Sequence, residues 1–250
     1  MTSVEQHQNT PPTGAANFGQ THWSVVVAAR GGDSPDARAA MEKLCRNYWL
    51  PIYAFVRRQG HSPPDAQDLT QEFFARLLGK NFLWGVDRSK GKFRSFLLGA
   101  LKHFLANEWD RAGAQKRGGA YTFIPIDAAS AETSCWLEPA DNSSADKVFE
   151  RRWALALLDQ VLRRLREDYV QHGKEDLFEQ LKPVLTETSR AVRYADIAAR
   201  IGASEGAVKV AVHRLRLRYR ELLRAEIAET VASEAEIDDE IRSLFAALTG

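Results

Sequence analysis

The chain has few of the residues that build metal and redox sites. It has two cysteines, Cys45 and Cys135, among 250 residues, and they fit neither a metal-binding spacing nor a disulfide framework. Cys45 stands in a helical pattern, where a small buried hydrophobe is the simplest reading. The six histidines are scattered, and no two sit one helical turn apart to share a metal. No metal and no cofactor is expected. Long apolar runs are also missing, so no membrane span is expected. The N-terminus carries Gln6, Gln8, Asn9, Pro11 and Pro12 and lacks the apolar centre of a signal peptide. A cytoplasmic protein is the expectation, and the sequon at Asn142 has no meaning there. No nucleophile has an evident base partner along the sequence. Residues 85–92, GVDRSKGK, imitate a phosphate-binding loop but place five residues between the glycines, and Phe93 stands where a magnesium-binding hydroxyl is required. No catalytic residue and no small-molecule substrate is expected.

Net charge is almost absent as well, at +1, but the charges are strongly segregated. Residues 92–117 hold Lys92, Arg94, Lys102, Arg111, Lys116 and Arg117 against only Glu108 and Asp110. Residues 226–240 hold Glu226, Glu229, Glu234, Glu236, Asp238, Asp239 and Glu240 with no base. Basic stretches in a near-neutral chain point to a polyanion met by particular surfaces.

Helical periodicity dominates, and no strand pattern stands out, so the fold class expected is all-α: two helical domains joined by a flexible linker. Residues 1–20 read as a disordered tail, and residues 21–112 as the first domain. Within it a short apolar segment at 22–29 precedes a helical run from Asp36 to Gly60, which Pro51 should kink or split. Ser62, three residues before Asp65 and followed by Pro63 and Pro64, marks the start of a helix that stops near Gly79. A further helix from Phe93 to about Arg111 buries Phe93, Phe96, Leu97, Leu101 and Phe104. Residues 113–149 lose periodicity and read as the linker. Residues 150–225 form the second domain, and 226–250 an acidic helical extension.

The second domain ends in YADIAARIGASEGAVKVAVHRLRLRYRELL, residues 194–223. Ile197, Ala198 and Ile201 share one helical face, and Gly202 ends that helix. Ser204 caps a second helix with an apolar face of Val208, Ala211, Val212 and Leu215. Two short helices around a glycine turn are the pattern of a helix-turn-helix. The outward face of the second helix carries Glu205, Lys209, Val210, His213, Arg214 and Arg216, with Arg218 and Arg220 beyond. A bare basic hairpin remains the alternative. A second stretch, GKFRSFLLGALKHFLANEWDRAGAQKR at 91–117, interleaves bases with aromatics. Lys92, Arg94, Lys102 and Lys116 could follow phosphates, and an exposed Trp109 could stack on an unpaired base. Trp109 and His103 lie off the apolar stripe.

These segments, in this order, resemble the sigma-70 family of bacterial RNA polymerase sigma factors, in its extracytoplasmic-function (ECF) group. YWLPIYAFVRRQGHSPPDAQDLTQEFFARLL (48–78) is similar to regions 2.1 and 2.2, FRSFLLGALKHFLANEWDR (93–111) to regions 2.3 and 2.4, and residues 194–224 to region 4.2. The resemblance implies binding to the clamp and flap regions of core RNA polymerase and to promoter DNA, with an anti-sigma factor as a further partner of the kind the group uses. It places Asp65, Asp68, Gln71 and Glu72 on the polymerase, although a merely solvated acidic face is the alternative. It places Lys102, His103, Ala106, Asn107, Trp109 and Arg111 at the −10 element. Ser204, Glu205, Lys209, Val210, His213, Arg214 and Arg216 fall at the −35 element. His103 and Asn107 depart from the family's commonest residues, so no promoter sequence carries over.

An ordinary helix-turn-helix regulator with an N-terminal sensing or dimerisation domain is the competing expectation. A helical enzyme acting on nucleic acid is a third. The acidic extension has no counterpart in the resemblance. Opposite charge should draw it back, by a turn near Ser233, onto the arginine-rich helix or between the halves, there to restrain DNA binding or simply to stabilise.

Overall fold

The computed structural model describes residues 35–78, 92–114, 144–186 and 193–249, and every regular element among them is helical. Helix α1 spans Pro35–Arg58. Its periodicity is fixed by Leu44, Tyr48, Ile52, Phe55 and Val56, all essentially inaccessible to solvent. Pro51 does not split it. The ring removes one backbone donor, but buried Tyr48, Trp49, Ile52 and Tyr53 surround it, and their packing offsets the lost hydrogen bond.

Helix α2, Pro63–Leu78, begins at the expected cap. The Ser62 hydroxyl donates to Asp65 Oδ2 at 2.6 Å and accepts the Asp65 N–H at 3.3 Å. Pro63 and Pro64 occupy positions whose N–H groups have no helical partner in any case. Helix α3, Phe93–Ala114, runs past the expected end near Arg111 and buries Phe93, Leu97, Leu101 and Phe104.

Helix α4, Ala145–Gln171, is the axis of the molecule. Ser144 caps it by accepting the Lys147 N–H at 3.4 Å. Its first turn lies inside the stretch expected to be linker, and Phe149 there is fully buried. One aromatic among Ser, Ala and Asp gives no periodicity, which is why composition alone placed the boundary too late. Short helices α5 (Glu175–Leu181) and α6 (Pro183–Thr186) follow. Helix α7 spans Tyr194–Ile201 and α8 spans Glu205–Ala228, carrying the chain unbroken through the expected 225/226 boundary. A turn of 3₁₀ helix, Glu234–Glu236, starts at Ser233, near where the chain was expected to fold back, and leads into α9, Ile237–Thr249.

Helix α4 packs against α1 on the N-terminal side and against α8 and α9 on the C-terminal side. One continuous apolar core therefore runs from Leu44 through Phe149 and Val161 to Leu244. The expected tail at 1–20, the apolar segment at 22–29, the false phosphate loop at 85–91 and linker residues 115–143 lie outside the described residues. No described helix is long and apolar enough to cross a membrane.

Candidate nucleic-acid interface

The turn between α7 and α8 is built by its glycine. Gly202 has φ 67° and ψ 33°, the left-handed region that only glycine enters without strain. In that conformation the N–H groups of Gly202 and Ala203 both reach the Ala198 carbonyl, the latter at 3.0 Å, and satisfy the helix end. The Ser204 side chain then accepts the Ala207 N–H at 3.2 Å and opens α8. Ile197 and Ala198 pack with Val208, Val212 and Leu215 in the core, so the relative placement of the two helices is set by burial.

Burial of that stripe leaves the opposite face of α8 in solvent. Glu205, Lys209, Val210, His213, Arg214 and Arg216 are all exposed. Lys209 Nζ lies 3.1 Å from Glu205, one turn away, a surface pair weak enough to exchange for a stronger partner. Arg214, Arg216 and Arg220 have no carboxylate partner among the described residues. Arg218 differs: its Nη2 lies 2.6 Å from Asp168 of α4 and its Nη1 3.2 Å from Glu221. The hydrogen bond that Arg218 donates to Asp168 raises the Arg218 pKa despite some desolvation. Arg218 therefore fastens α8 to α4, while its neighbours remain available. Val210 offers an apolar spot of the kind that meets a thymine methyl.

On α3, His103, Ala106, Asn107 and Trp109 face solvent, and Trp109 is 78% exposed. An indole presented to water on a rigid helix is a platform for stacking. Lys102 is exposed too, but its Nζ lies 2.6 Å from Asp146 in the first turn of α4. Arg111 belongs to the same helix; its side chain lies outside the described residues.

The four residues of the acidic face on α2 do not behave alike. Asp65 is exposed but engaged as the cap of its own helix. Glu72 is half-buried and bonded to Arg76, which also holds Glu108 of α3 at 2.7 Å and lies over the Phe104 ring at 5.0 Å. Desolvation lowers the Arg76 pKa, but its bonds to Glu72 and Glu108 outweigh that and raise it. Arg76 thus ties α2 to α3, and Glu72 holds Arg76 in place from one turn away. Asp68, exposed, and Gln71, half-buried, make no side-chain bond among the described residues.

Lys92 and Arg94, expected to follow phosphates, are instead held by carboxylates. Arg94 is only 7% exposed, stacks over Trp153 at 4.5 Å, and bonds Glu150 of α4 and Glu240 of α9. Lys92 Nζ lies 2.7 Å from Glu240. A second buried acid, Glu226, accepts Gln160 Nε2 at 2.8 Å and is bonded by Arg164, pinning α8 to α4. Periodicity could have flagged these acids, because Glu226 continues the buried stripe of Leu222 and Leu223, and Glu240 that of Ile237 and Leu244. Their partners lie far along the chain and carry no sequence signal. Comparison of the chain with family models, with curated proteins and with solved structures finds no match.

Proposed function

We propose that this protein is a sigma factor of the ECF group, which binds core RNA polymerase, directs it to promoters and helps open the DNA. The observation that carries this reading is the pairing of two dissimilar nucleic-acid surfaces on one chain. One is a capped helix-turn-helix whose outward face holds Lys209, His213, Arg214 and Arg216. The other is helix α3, which presents an exposed indole at Trp109. A helix of that width and charge suits the major groove, where an arginine can bridge guanine O6 and N7. An exposed aromatic suits bases that have left the duplex. A protein with both is equipped to read double strands and hold single ones, as transcription initiation demands. Asp68 and Gln71 supply the polymerase contact, and the halves carrying α3 and α8 act as separate promoter-reading domains on the enzyme.

An ordinary helix-turn-helix regulator is the second reading, and the single core shared by the two halves favours it. Retention on immobilised core polymerase separates the two. A sigma factor is retained, and Asp68→Ala with Gln71→Ala weakens retention while the melting temperature stays put, since both changes are at partner-free positions worth about 0.5 kcal/mol or less. A regulator is not retained and binds a palindromic duplex on its own.

A further inference from the structure

The acidic C-terminal helix closes a knot in which both halves of the chain meet. Glu240 of α9 is fully buried. Its carboxylate accepts Arg94 Nε at 2.6 Å and Arg94 Nη2 at 3.2 Å, and Lys92 Nζ lies 2.7 Å away. Lys92 also donates to Ser243 Oγ on α9 at 2.8 Å, and the Phe93 N–H donates to the Thr230 carbonyl at 3.2 Å. The Phe93 ring meets Tyr48 of α1 edge-on at 5.4 Å. The start of α3 is thereby fastened to α9 and to the turn before it by backbone, hydroxyl and charge. A buried carboxylate is tolerable only while its cations are present, so separating α3 from α9 leaves Glu240 and Lys92 unpaired, while Arg94 keeps Glu150. Such a joint is either closed or hydrated and open.

The closed body is too small to read a promoter as proposed above. A single compact body of this length has a radius of gyration of about 18 Å and hence a diameter of about 45 Å. Elements centred near −10 and −35 lie about 25 base pairs apart, about 85 Å of duplex at 3.4 Å per pair. Helices α3 and α8 cannot reach both while the body stays closed, and the knot holds it closed together with the packing of α1 on α4.

We propose that α9 is an intramolecular clasp: Glu240 on Lys92 and Arg94 holds the two DNA-reading halves together in the free protein, and engagement with polymerase undoes it. The clasp rests on the sigma-factor reading, but its first test does not depend on polymerase. In the free full-length protein, Glu240→Gln keeps the shape and removes the charge. Amide hydrogen exchange should then quicken at least tenfold at Phe93 and across 237–249, with α7 and the first half of α8 unchanged. Lys92→Gln, which leaves Arg94 paired with Glu150 and Glu240, should give the same local pattern in smaller measure and serves if the first variant does not fold. Unchanged exchange, or a uniform increase over the whole chain, overturns the clasp. The second test compares wild-type protein free and bound to core polymerase. Faster exchange across 237–249 on binding supports release, and full protection in the complex overturns it. Failure to bind polymerase at all overturns the sigma-factor reading and the release with it, whereas the first test still decides whether Glu240 ties the halves.

Discussion

Individual side chains divide into those consumed by the fold and those left for a partner. Cys45 belongs to the first class. Burial, with a smaller contribution from the Glu42 carboxylate, pushes its thiol from 9.0 up to about 11. The unfolded chain therefore loses this proton at lower pH than the native one, so the neutral thiol's contribution to stability is intact below pH 9 and is lost between about 9 and 11. In a Cys135→Ser background, urea midpoints should fall across that window more steeply with Cys45 present than with Cys45→Ala. Trp109 belongs to the second class. At 78% exposure its removal should change stability by about 0.5 kcal/mol or less. Its loss should instead slow promoter opening, read by permanganate reactivity of unpaired thymines, and a pre-melted template should restore the rate. A defect that persists on the pre-melted template would assign the indole to a protein contact.

At the scale of elements, the helix-turn-helix can be tested by two glycines of opposite kind. Gly202 sits at φ 67°, and a methyl added there would meet nothing within 4 Å, so Gly202→Ala should cost about 1 kcal/mol through backbone strain alone. Gly206 lies in the first turn of α8 at ordinary helical angles, and the nearest atom to an added Cβ is Ser204 Oγ at 3.9 Å. Gly206→Ala should therefore stabilise by about 0.5–1 kcal/mol, and paired thermal melts check both signs. These elements were legible in the sequence because their signals are local: the Ser62–Asp65 cap, Gly202, Ser204 and the apolar stripes all act within a few residues. The start of α4 was not legible, since Phe149 is buried in a core whose other members lie far away in the chain. Pro51 leaves α1 in one piece for a related reason: its cost is local, whereas the packing that offsets it is not. Within the site, the exposure of Trp109, His103 and Arg214 followed from the stripes, but the engagement of Lys92 and Arg94 depended on partners that only the fold brings together.

The described residues share one core with α4 at its centre, and two acids of the C-terminal segment, Glu226 and Glu240, are buried there against bases of other helices. Segregated charge was visible in the sequence, and a return of the acidic extension was expected from it. The stripe of Ile237 and Leu244 could have flagged the depth of Glu240, but not its grip on the other half of the chain, because neither charge nor periodicity specifies a partner 146 residues away. The role proposed for this protein is that of a specificity subunit whose helices α3 and α8 work on one polymerase. Run-off transcription with purified core polymerase on genomic fragments measures this directly. A sigma factor yields discrete transcripts that core polymerase alone does not make. Lys209→Ala and Arg214→Ala should reduce them by a loss on the order of 1–3 kcal/mol that depends on the −35 sequence. Transcription no different from core polymerase alone, across fragments covering the genome, would contradict the assignment.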